Sequence, residues 1–598
     1  MTDETTPDAN TVFETSWEVC NKVGGIYSVL SSKSSYMQDT YDEYYTIGPY
    51  KEDEADDHFD EEQTPSKFEG VAETLASEGI TLHFGTWRVN NDPNCILIEY
   101  DGLWDDLDDY KESLWESHNV DTLHSGSDVH NPLLFSRAVT RLVEAAADQN
   151  CVDIEDTVVH CHEWLTGFTT LFLDDHPVRT AFTTHATTLG RTMSGSGYDI
   201  YDVLDDVNAD EEARELGVSD KHSAEKAAAH NADVFTTVSK ITGRECTALL
   251  DKEPDVYTLN GLDVDHFPSF EEASIDHQEH RSTIREFLSY TFFPHYTFDT
   301  SHNLTFLYAG RYEYKNKGID IFLEALARLN NELRERDTDR TISVFFCLAA
   351  DNNGPKYELL RNKNIYSHLE DEIQSHSEDV LDQMLYDLIS GEDKTERELL
   401  SESAMQDLRE TLNRFNTEES PPLCSHELVG DEADHQIIQD FHRLGLRNRE
   451  DDPVKVMLYP AYLDGNDSLL NLKYFEMISG SHLGVFPSYY EPWGYTPVES
   501  AAMSVPSVTT DLAGYGIYMK EQLDDLTEKR GGIYVSERDG KSKEESINNL
   551  YNILEDYASL THAERVKDKM RAKMLSEVTD WDTFIDRYIQ AHNKAINE

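Results

Sequence analysis

Positive charge is scarce in this chain of 598 residues: 50 Lys plus Arg stand against 117 Asp plus Glu, a formal net charge of -67. That shortage argues against free nucleic acid and anionic membrane as partners, because both are bound through clustered cations. Repulsion of this size opposes compaction in dilute buffer, whereas molar salt shortens the screening length to about 3 Å and relieves it. The composition therefore reads as adaptation to the salt-rich cytoplasm of a halophile. Cysteine is also sparse, with seven residues at 20, 95, 151, 161, 246, 347 and 424 and no CxxC pair. This excludes a disulfide framework and points to a reducing compartment. No run approaches the ~18 to 20 apolar residues that span a bilayer, and the opening MTDETTPDAN lacks a positive start followed by an apolar stretch. A soluble, cytoplasmic protein is expected. What is present is a folding composition: 38% hydrophobic and 10% aromatic residues, spread in periodic segments, which an acidic disordered chain would not have. The length exceeds one core and predicts two or more domains.

Strand-like and helix-like segments alternate, the pattern of parallel sheets covered by helices. In the first half, strands are read at TVFETSW, ITLHFGTWRV, CILIEY, DTVVHCH, VRTAFTT and DVFTTVS. One helix is well marked at NPLLFSRAVTRLVEAAADQN, with Asn131 as cap, Pro132 in the first turn, and Leu134, Ala138 and Leu142 on one face. A weakly patterned stretch at 263–300 separates a second series, with strands at NLTFLYAGR, TISVFFCLAA, VKVMLYPAYL, LGVFPS and PSVTTD. The fold class expected is α/β, two doubly wound domains with ligands in the crevice at the carboxyl ends of their strands.

Four strand-to-helix junctions carry candidate chemistry. In VFETSWEVCNKVGGIYSVL, Lys22, Val23, Gly24 and Gly25 precede a helix, so backbone amides and a helix N-terminus are available to an anion; an ordinary tight turn explains two glycines equally. In DTVVHCHEWLTG, His160 and His162 share a strand face beside Cys161 and Glu163. A metal site competes there with a buried, hydrogen-bonded histidine pair lining a cleft, and the pair is favoured because no further ligand set is visible. FTTHATTLGR ends a strand in His185, with Arg191 six residues on. In AGRYEYKNKGID, Arg311 and Lys317 bracket a turn, where two cations facing a crevice would suit a diphosphate. Solvated surface cations are the bland alternative, weakened here because this chain has so few to spare.

The stretch SHLGVFPSYYEPWGYTPVESAAM reads as a strand to Ser488, a loop through Glu491 to Tyr495, and a helix from about Thr496 with Pro497 in its first turn. Glu491 then lies in the loop and Glu499 inside the helix. Fully helical spacing would part the carboxylates by about 12 Å, unlike the ~5 to 5.5 Å of a retaining glycosidase pair. Separate roles follow, with Glu499 towards a ribose and Glu491 towards the reacting sugar.

The KVGG loop, HEW, FTTHATTLGR, AAAHNADVFTTVS, LNGLDV, AGRYEYKNKGIDIF and SHLGVFPSYYEPWGYTP, in this order from about Phe13 to Trp581, closely resemble the glycogen synthases of the eukaryotic, UDP-glucose-using type. The resemblance implies a GT-B glycosyltransferase of two Rossmann-like domains with a helical insertion in the second. Such an enzyme transfers glucose with retention to the 4-hydroxyl of an α-1,4-glucan, without a metal or other cofactor. By position it implies that Glu491 faces the reacting carbon and that Arg311 and Lys317 hold the diphosphate. Gly25 and the turn Gly494 to Thr496 would offer amides to phosphate and glucose, and His185 and Arg191 would lie by the glucose. Tyr474, in LKYFEMISG, would stack on uracil, and Glu499 would bind ribose. Lys22, Gly24, His162, Asn260, Tyr490, Trp493 and Tyr495 lie in the same motifs and join the substrate-binding set. Lys22 replaces the arginine of many relatives, which keeps charge and loses the bidentate fork.

The resemblance divides the chain at 1–280 (first domain, acceptor side), 281–561 (second domain, nucleotide-sugar side) and 562–598 (a helical segment packing back on the first domain). The insertion, about 356–430, resembles the family's oligomer-contact helices and implies a homo-oligomer, a tetramer first. Within it the stripe Met405, Leu408, Leu412 and Phe415 is read as packing inside its own domain. Relatives carry an arginine-dense C-terminal helix that binds glucose 6-phosphate. Here Arg565, Lys567, Lys569, Arg571 and Lys573 alternate, and spacing by two spreads side chains around the axis. With only 17 residues after Trp581, a constitutively active enzyme is expected, with little activation by glucose 6-phosphate and no phosphorylation switch. An ADP-glucose enzyme or another polysaccharide synthase would keep nearly all these motifs. A silent glucan-binding scaffold would not need Glu491, Arg311 and Lys317, and a phosphorylase would need a pyridoxal phosphate lysine site that is not found.

Overall fold

The computed structural model describes residues 6–336, 340–391, 402–524 and 531–598. Residues 1–5, within the stretch read for a leader, and 392–401, within the insertion, lie outside them. Among the described residues the first sheet has nine strands: β1 (Thr11–Thr15), β2 (Glu43–Pro49), β3 (Phe59–Glu61), β4 (Thr81–Trp87), β5 (Asn94–Glu99), β6 (Thr157–His162), β7 (Arg179–Thr184), β8 (Val234–Thr237) and β9 (Val256–Tyr257). Their order is β3-β4-β5-β2-β1-β6-β7-β8-β9, antiparallel at the β3–β4 and β4–β5 pairs and parallel elsewhere. The second sheet begins with β10 (Leu304–Gly310) and β11 (Ile342–Leu348). A short antiparallel pair, β12 (Asn352–Pro355) with β13 (His426–Leu428), stands apart, and β14 (Val454–Tyr459), β15 (Leu483–Val485), β16 (Ser507–Thr510) and β17 (Ile533–Ser536) complete the sheet. Its order is β14-β11-β10-β15-β16-β17, parallel throughout.

Both sheets reverse direction once at their centre, between β1 and β6 and between β10 and β15. Side chains just beyond those four strands therefore meet in a crevice. The inner strands are buried on both faces, as in Val158, Val159 and Cys161 or Val344, Phe345 and Phe346, which is why they read as continuous apolar runs.

Two helices differ from the sequence reading. The helix expected with Asn131 as cap starts five residues earlier, as Ser127–Asp148 with Gly126 as cap and Pro132 inside it. Asp128 suits the positive end of that helix and pairs with Lys221 at 2.7 Å, and Asn131 Nδ2 donates back to the Ser127 carbonyl. The weakly patterned stretch contains a 23-residue helix, Phe270–Phe292, opened by a capping box between Ser269 and Glu272. Its Ile284, Phe287 and Leu288 pack with Leu307, Phe345 and Met457 of the second sheet, so the boundary expected at 280/281 falls inside it. At the far end, helix His562–Ser576 lies on helix Tyr495–Ala502 of the second domain, and helix Trp581–Asn597 crosses to the first domain. There Trp581 Nε1 donates to Ser32 Oγ at 2.9 Å.

In the insertion, Leu408 and Phe415 pack with Leu369 inside the domain and Leu412 is exposed. A different helix, Ser377–Ser390, presents Leu381, Met384, Leu385, Leu388 and Ile389 to solvent. No helix among the described residues is long and apolar enough to cross a membrane, and all seven cysteines are free thiols.

Candidate active site

A cleft of about 860 Å³ lies between the two switch points. The first domain lines it with Gly24, Gly25, His185, Arg191 and Asn260, and the second with Arg311, Lys317, Glu491, Trp493, Gly494, Tyr495 and Thr496. Tyr490 lines an adjoining recess with Arg191, Arg311, Lys317 and Glu491. Four expected residues do not line it. Lys22 is exposed, its ammonium 5.7 Å from the Tyr27 ring centre. His162 is buried behind His185, and Tyr474 pairs with Glu499, its hydroxyl donating to Oε2 at 2.6 Å. Burial raises the Glu499 carboxyl against the help of that bond.

Lys317 Nζ and Glu491 Oε2 are 2.5 Å apart and both half-buried, while the Arg311 side chain is 76% exposed. Glu491 is held by its backbone, which accepts from Gly514 N at 3.1 Å. Gly514 has no space for a side chain against Pro492 and Ser239. Gly494, at φ +104°, ends the loop in a conformation that favours glycine and starts helix Tyr495–Ala502. Glu491 thus lies in the loop and Glu499 in the helix. Trp493 Nε1 and Asn260 Oδ1 are buried without a hydrogen-bond partner among the described residues, two polar atoms that a hydroxyl-rich ligand would satisfy.

The glycine loop has an occupant that sequence reading missed. Glu18 Oε2 accepts from Gly24 N and Tyr27 N, both at 2.8 Å. It does from a distance what a capping side chain does at the end of helix Gly25–Thr40. Burial raises its carboxyl, opposed by those two bonds and by Arg191. Gly24's amide is therefore already engaged, and Gly25, where an added side-chain carbon would meet nothing within 4 Å, is the open side of the turn.

Behind the first-domain wall, Glu14, His160 and His162 come close enough to hold a metal, but Lys33 Nζ is bonded to Glu14 Oε1 in the same place. His162 Nε2 meets Glu14 Oε1 at 2.7 Å and His162 Nδ1 meets His185 Nε2 at 2.9 Å. With Glu14 ionised, the proton order runs Glu14, H–Nε2 of His162, bare Nδ1, H–Nε2 of His185, which fixes the His185 tautomer at the cleft. Burial works to raise the Glu14 carboxyl, but Lys33 and His162 outweigh it and hold it well below the usual range. Burial lowers all three histidines, 160, 162 and 185. The donor set suits a fixed ammonium ion, so the buried-pair reading fits better than a metal site.

The C-terminal cations do not spread out as expected. Arg565 and Lys569, four apart, share a face and come near enough to Arg281 of helix Phe270–Phe292 to feel its charge, beside His277 and His482, whose rings are 5.2 Å apart. Burial, with Arg281 and Arg565, brings the Lys569 ammonium down to about 7, and burial with Lys569 lowers His277 to about 3. Spacing by two had hidden the i, i+4 pair. Lys567 is exposed, and Asp568 turns away to Gly532 N and Tyr534 OH.

Two doubly wound domains facing a cleft lined by glycines and cations are the layout of a GT-B glycosyltransferase. The catalytic domain of starch synthase IV from Arabidopsis thaliana, solved with ADP and acarbose, shares the fold at a TM-score of 0.53 and 12% identity, covering 99% of this chain and 100% of that one. The chain belongs to the glycogen synthase family, whose model matches residues 14–598, and it is a glycosyltransferase. It is 35% identical to liver glycogen [starch] synthase of Homo sapiens over 97% of this chain and 82% of that protein. It is also 35% identical to glycogen [starch] synthase isoform 2 of Saccharomyces cerevisiae over 98% and 86%.

Proposed function

We propose that this protein extends α-1,4-glucan by transferring glucose from UDP-glucose to the 4-hydroxyl at the non-reducing end, with retention. The observation that carries the reading is the facing of Lys317 and Glu491 across from Gly25 and His185 in one cleft. Lys317 and Arg311 take up the charge that develops on the departing diphosphate, so that no metal is needed to neutralise it. Glu491, released from Lys317 by the incoming diphosphate, faces the sugar, and the diphosphate oxygen accepts the proton of the attacking hydroxyl. Tyr474 and Glu499, bonded to each other outside the cleft lining, take uracil and ribose on this reading once the nucleotide displaces that bond. Competition between UDP-glucose and ADP-glucose on glycogen in molar salt tests the donor. The UDP-sugar is expected to be preferred at least about tenfold, the effect of one well-made polar contact, and equal use would replace this reading by a donor-tolerant one.

Three further parts belong to the proposal. The stripe Leu381, Met384, Leu385, Leu388 and Ile389 supports assembly of copies through the insertion, a tetramer first, and light scattering in molar salt showing a monomer would refute it. The convergence of Arg565, Lys569 and Arg281 supports capture of a phosphate ester there, against the expectation of little activation by glucose 6-phosphate. Glucose 6-phosphate is expected to raise the rate several-fold and Lys569→Ala to remove that rise, whereas a flat titration would restore the earlier reading. The acidic surface and free thiols support a place in the cytoplasm of a salt-adapted cell.

A further inference from the structure

The second domain's two reactive segments are tied to each other and then gripped by the first domain. Tyr489 N and Tyr490 N both donate to the Asn316 carbonyl, at 2.7 and 3.1 Å, so the residue before Glu491 is fastened to the residue before Lys317. From across the junction, Ser194 Oγ donates to Asn316 Oδ1 at 2.8 Å. Tyr490 OH donates to Glu245 Oε2 at 3.1 Å.

Glu245 lies fully buried on helix Lys240–Leu249. Besides Tyr490 it accepts from Thr187 Oγ1 at 2.8 Å and Tyr201 OH at 3.0 Å. Thr187 caps helix Thr188–Gly195, which carries Arg191 and Ser194. The carboxylate approaches that helix so closely that a side-chain carbon at Gly190 would overlap Glu245 Oε2. Three hydroxyls on one buried carboxylate make a rigid seat. Burial pushes the Glu245 carboxyl up to about 7 against the pull of these three hydrogen bonds.

We propose that Glu245 is a positioning residue for transfer: by catching the Tyr490 hydroxyl across the domain junction it seats Glu491 and Lys317 at the cleft when the domains are together. This rests on the glucosyl-transfer reading of the site. Nothing in it requires Glu245 to touch the substrate. Glutamine can accept the Thr187 and Tyr490 hydroxyls through its oxygen and donate to Tyr201, so it keeps the catch.

The test uses the full chain in molar salt with UDP-glucose and glycogen. Glu245→Ala and Tyr490→Phe are each expected to lower kcat by about ten- to a hundredfold, the effect of one charge-assisted hydrogen bond. The donor and acceptor KM should change little. Glu245→Gln should restore most of the loss. Gly190→Ala, which displaces the carboxylate without removing it, should lower kcat in the same way. The double variant should be no slower than the slower single one, the mark of a shared interaction. Additive losses, or normal kcat in Tyr490→Phe, would overturn the proposal. Small-angle scattering reads the bridge without activity: Glu245→Ala is expected to show a larger radius of gyration than the wild type, and equal radii would count against the catch. A wild-type chain that transfers no glucose would defeat the functional reading and leave the scattering result standing.

Discussion

Glu491→Ala is expected to lose glucosyl transfer by about 10²- to 10³-fold or more in kcat, the scale on which preorganised electrostatic groups act, while donor affinity stays close to that of the wild type. The asymmetry follows from where the carboxylate sits. Its ion-pair partner is Lys317, so its removal frees an ammonium that the diphosphate then meets without competition. What is lost is an interaction with the sugar as positive charge builds at the reacting carbon, which a ground-state binding measurement does not sense. Calorimetric titration of UDP, set beside initial rates, separates the two. A variant with normal turnover would remove Glu491 from the mechanism, and one that no longer binds UDP would move it to the nucleotide.

Lys33→Met is expected to cost about 3 to 5 kcal/mol, the usual penalty for leaving one partner of a buried ion pair uncompensated. Lys33 is fully buried between Glu14 and the face of Tyr588, 3.8 Å from the ring centre. Glu14 also carries His162 and the hydroxyl of Tyr44, and His160 joins the C-terminal helix through His592 at 3.0 Å. Losing the ammonium therefore loosens the far end of the chain as well as the His185 wall. The pH dependence has a definite sign. In the wild type the folded-state pKa of Glu14 is depressed, so its contribution is present above the unfolded carboxyl pKa and fades as pH falls. In Lys33→Met burial raises that pKa, so stability is greatest at low pH and drops as pH rises through the new value. The gap between the two proteins should thus narrow on acidification. Urea unfolding in molar salt at several pH values measures it, and Glu14→Gln added to Lys33→Met should recover most of the loss.

Much of this was legible in the sequence, for physical reasons that differ by element. The inner strands were visible because burial on both faces demands unbroken apolar runs, as in TISVFFCLAA. β2, EYYTIGP, was missed because it mixes polar and aromatic residues and ends in Gly-Pro, and β17 because four residues carry little pattern. Helix Phe270–Phe292 is polar through its first half and buries itself mainly from Ile284 onward, so its face was faint. At the site, Lys317 and Arg311 stood out because cations are rare here. The converse hid Glu18 and Glu245, and the part that Glu163 plays: one glutamate among 117 acidic residues announces nothing. Only folding shows that Glu18 caps the glycine loop, and that Glu163 Oε1 accepts from His185 N at 3.0 Å and Ala186 N at 3.2 Å. Lys33 did leave a trace, lying three and four residues after Leu30 and Val29 on the buried face of its helix. A lysine there needs a buried partner.

The most direct test of the whole account is to incubate the chain in molar salt with UDP-glucose labelled in the sugar and with glycogen, then digest the product with an enzyme specific for α-1,4 linkages. The expected result is label in glycogen, released completely by that digestion and absent with Glu491→Ala. Label that stays out of glycogen, or that resists the α-1,4-specific enzyme, would contradict the account.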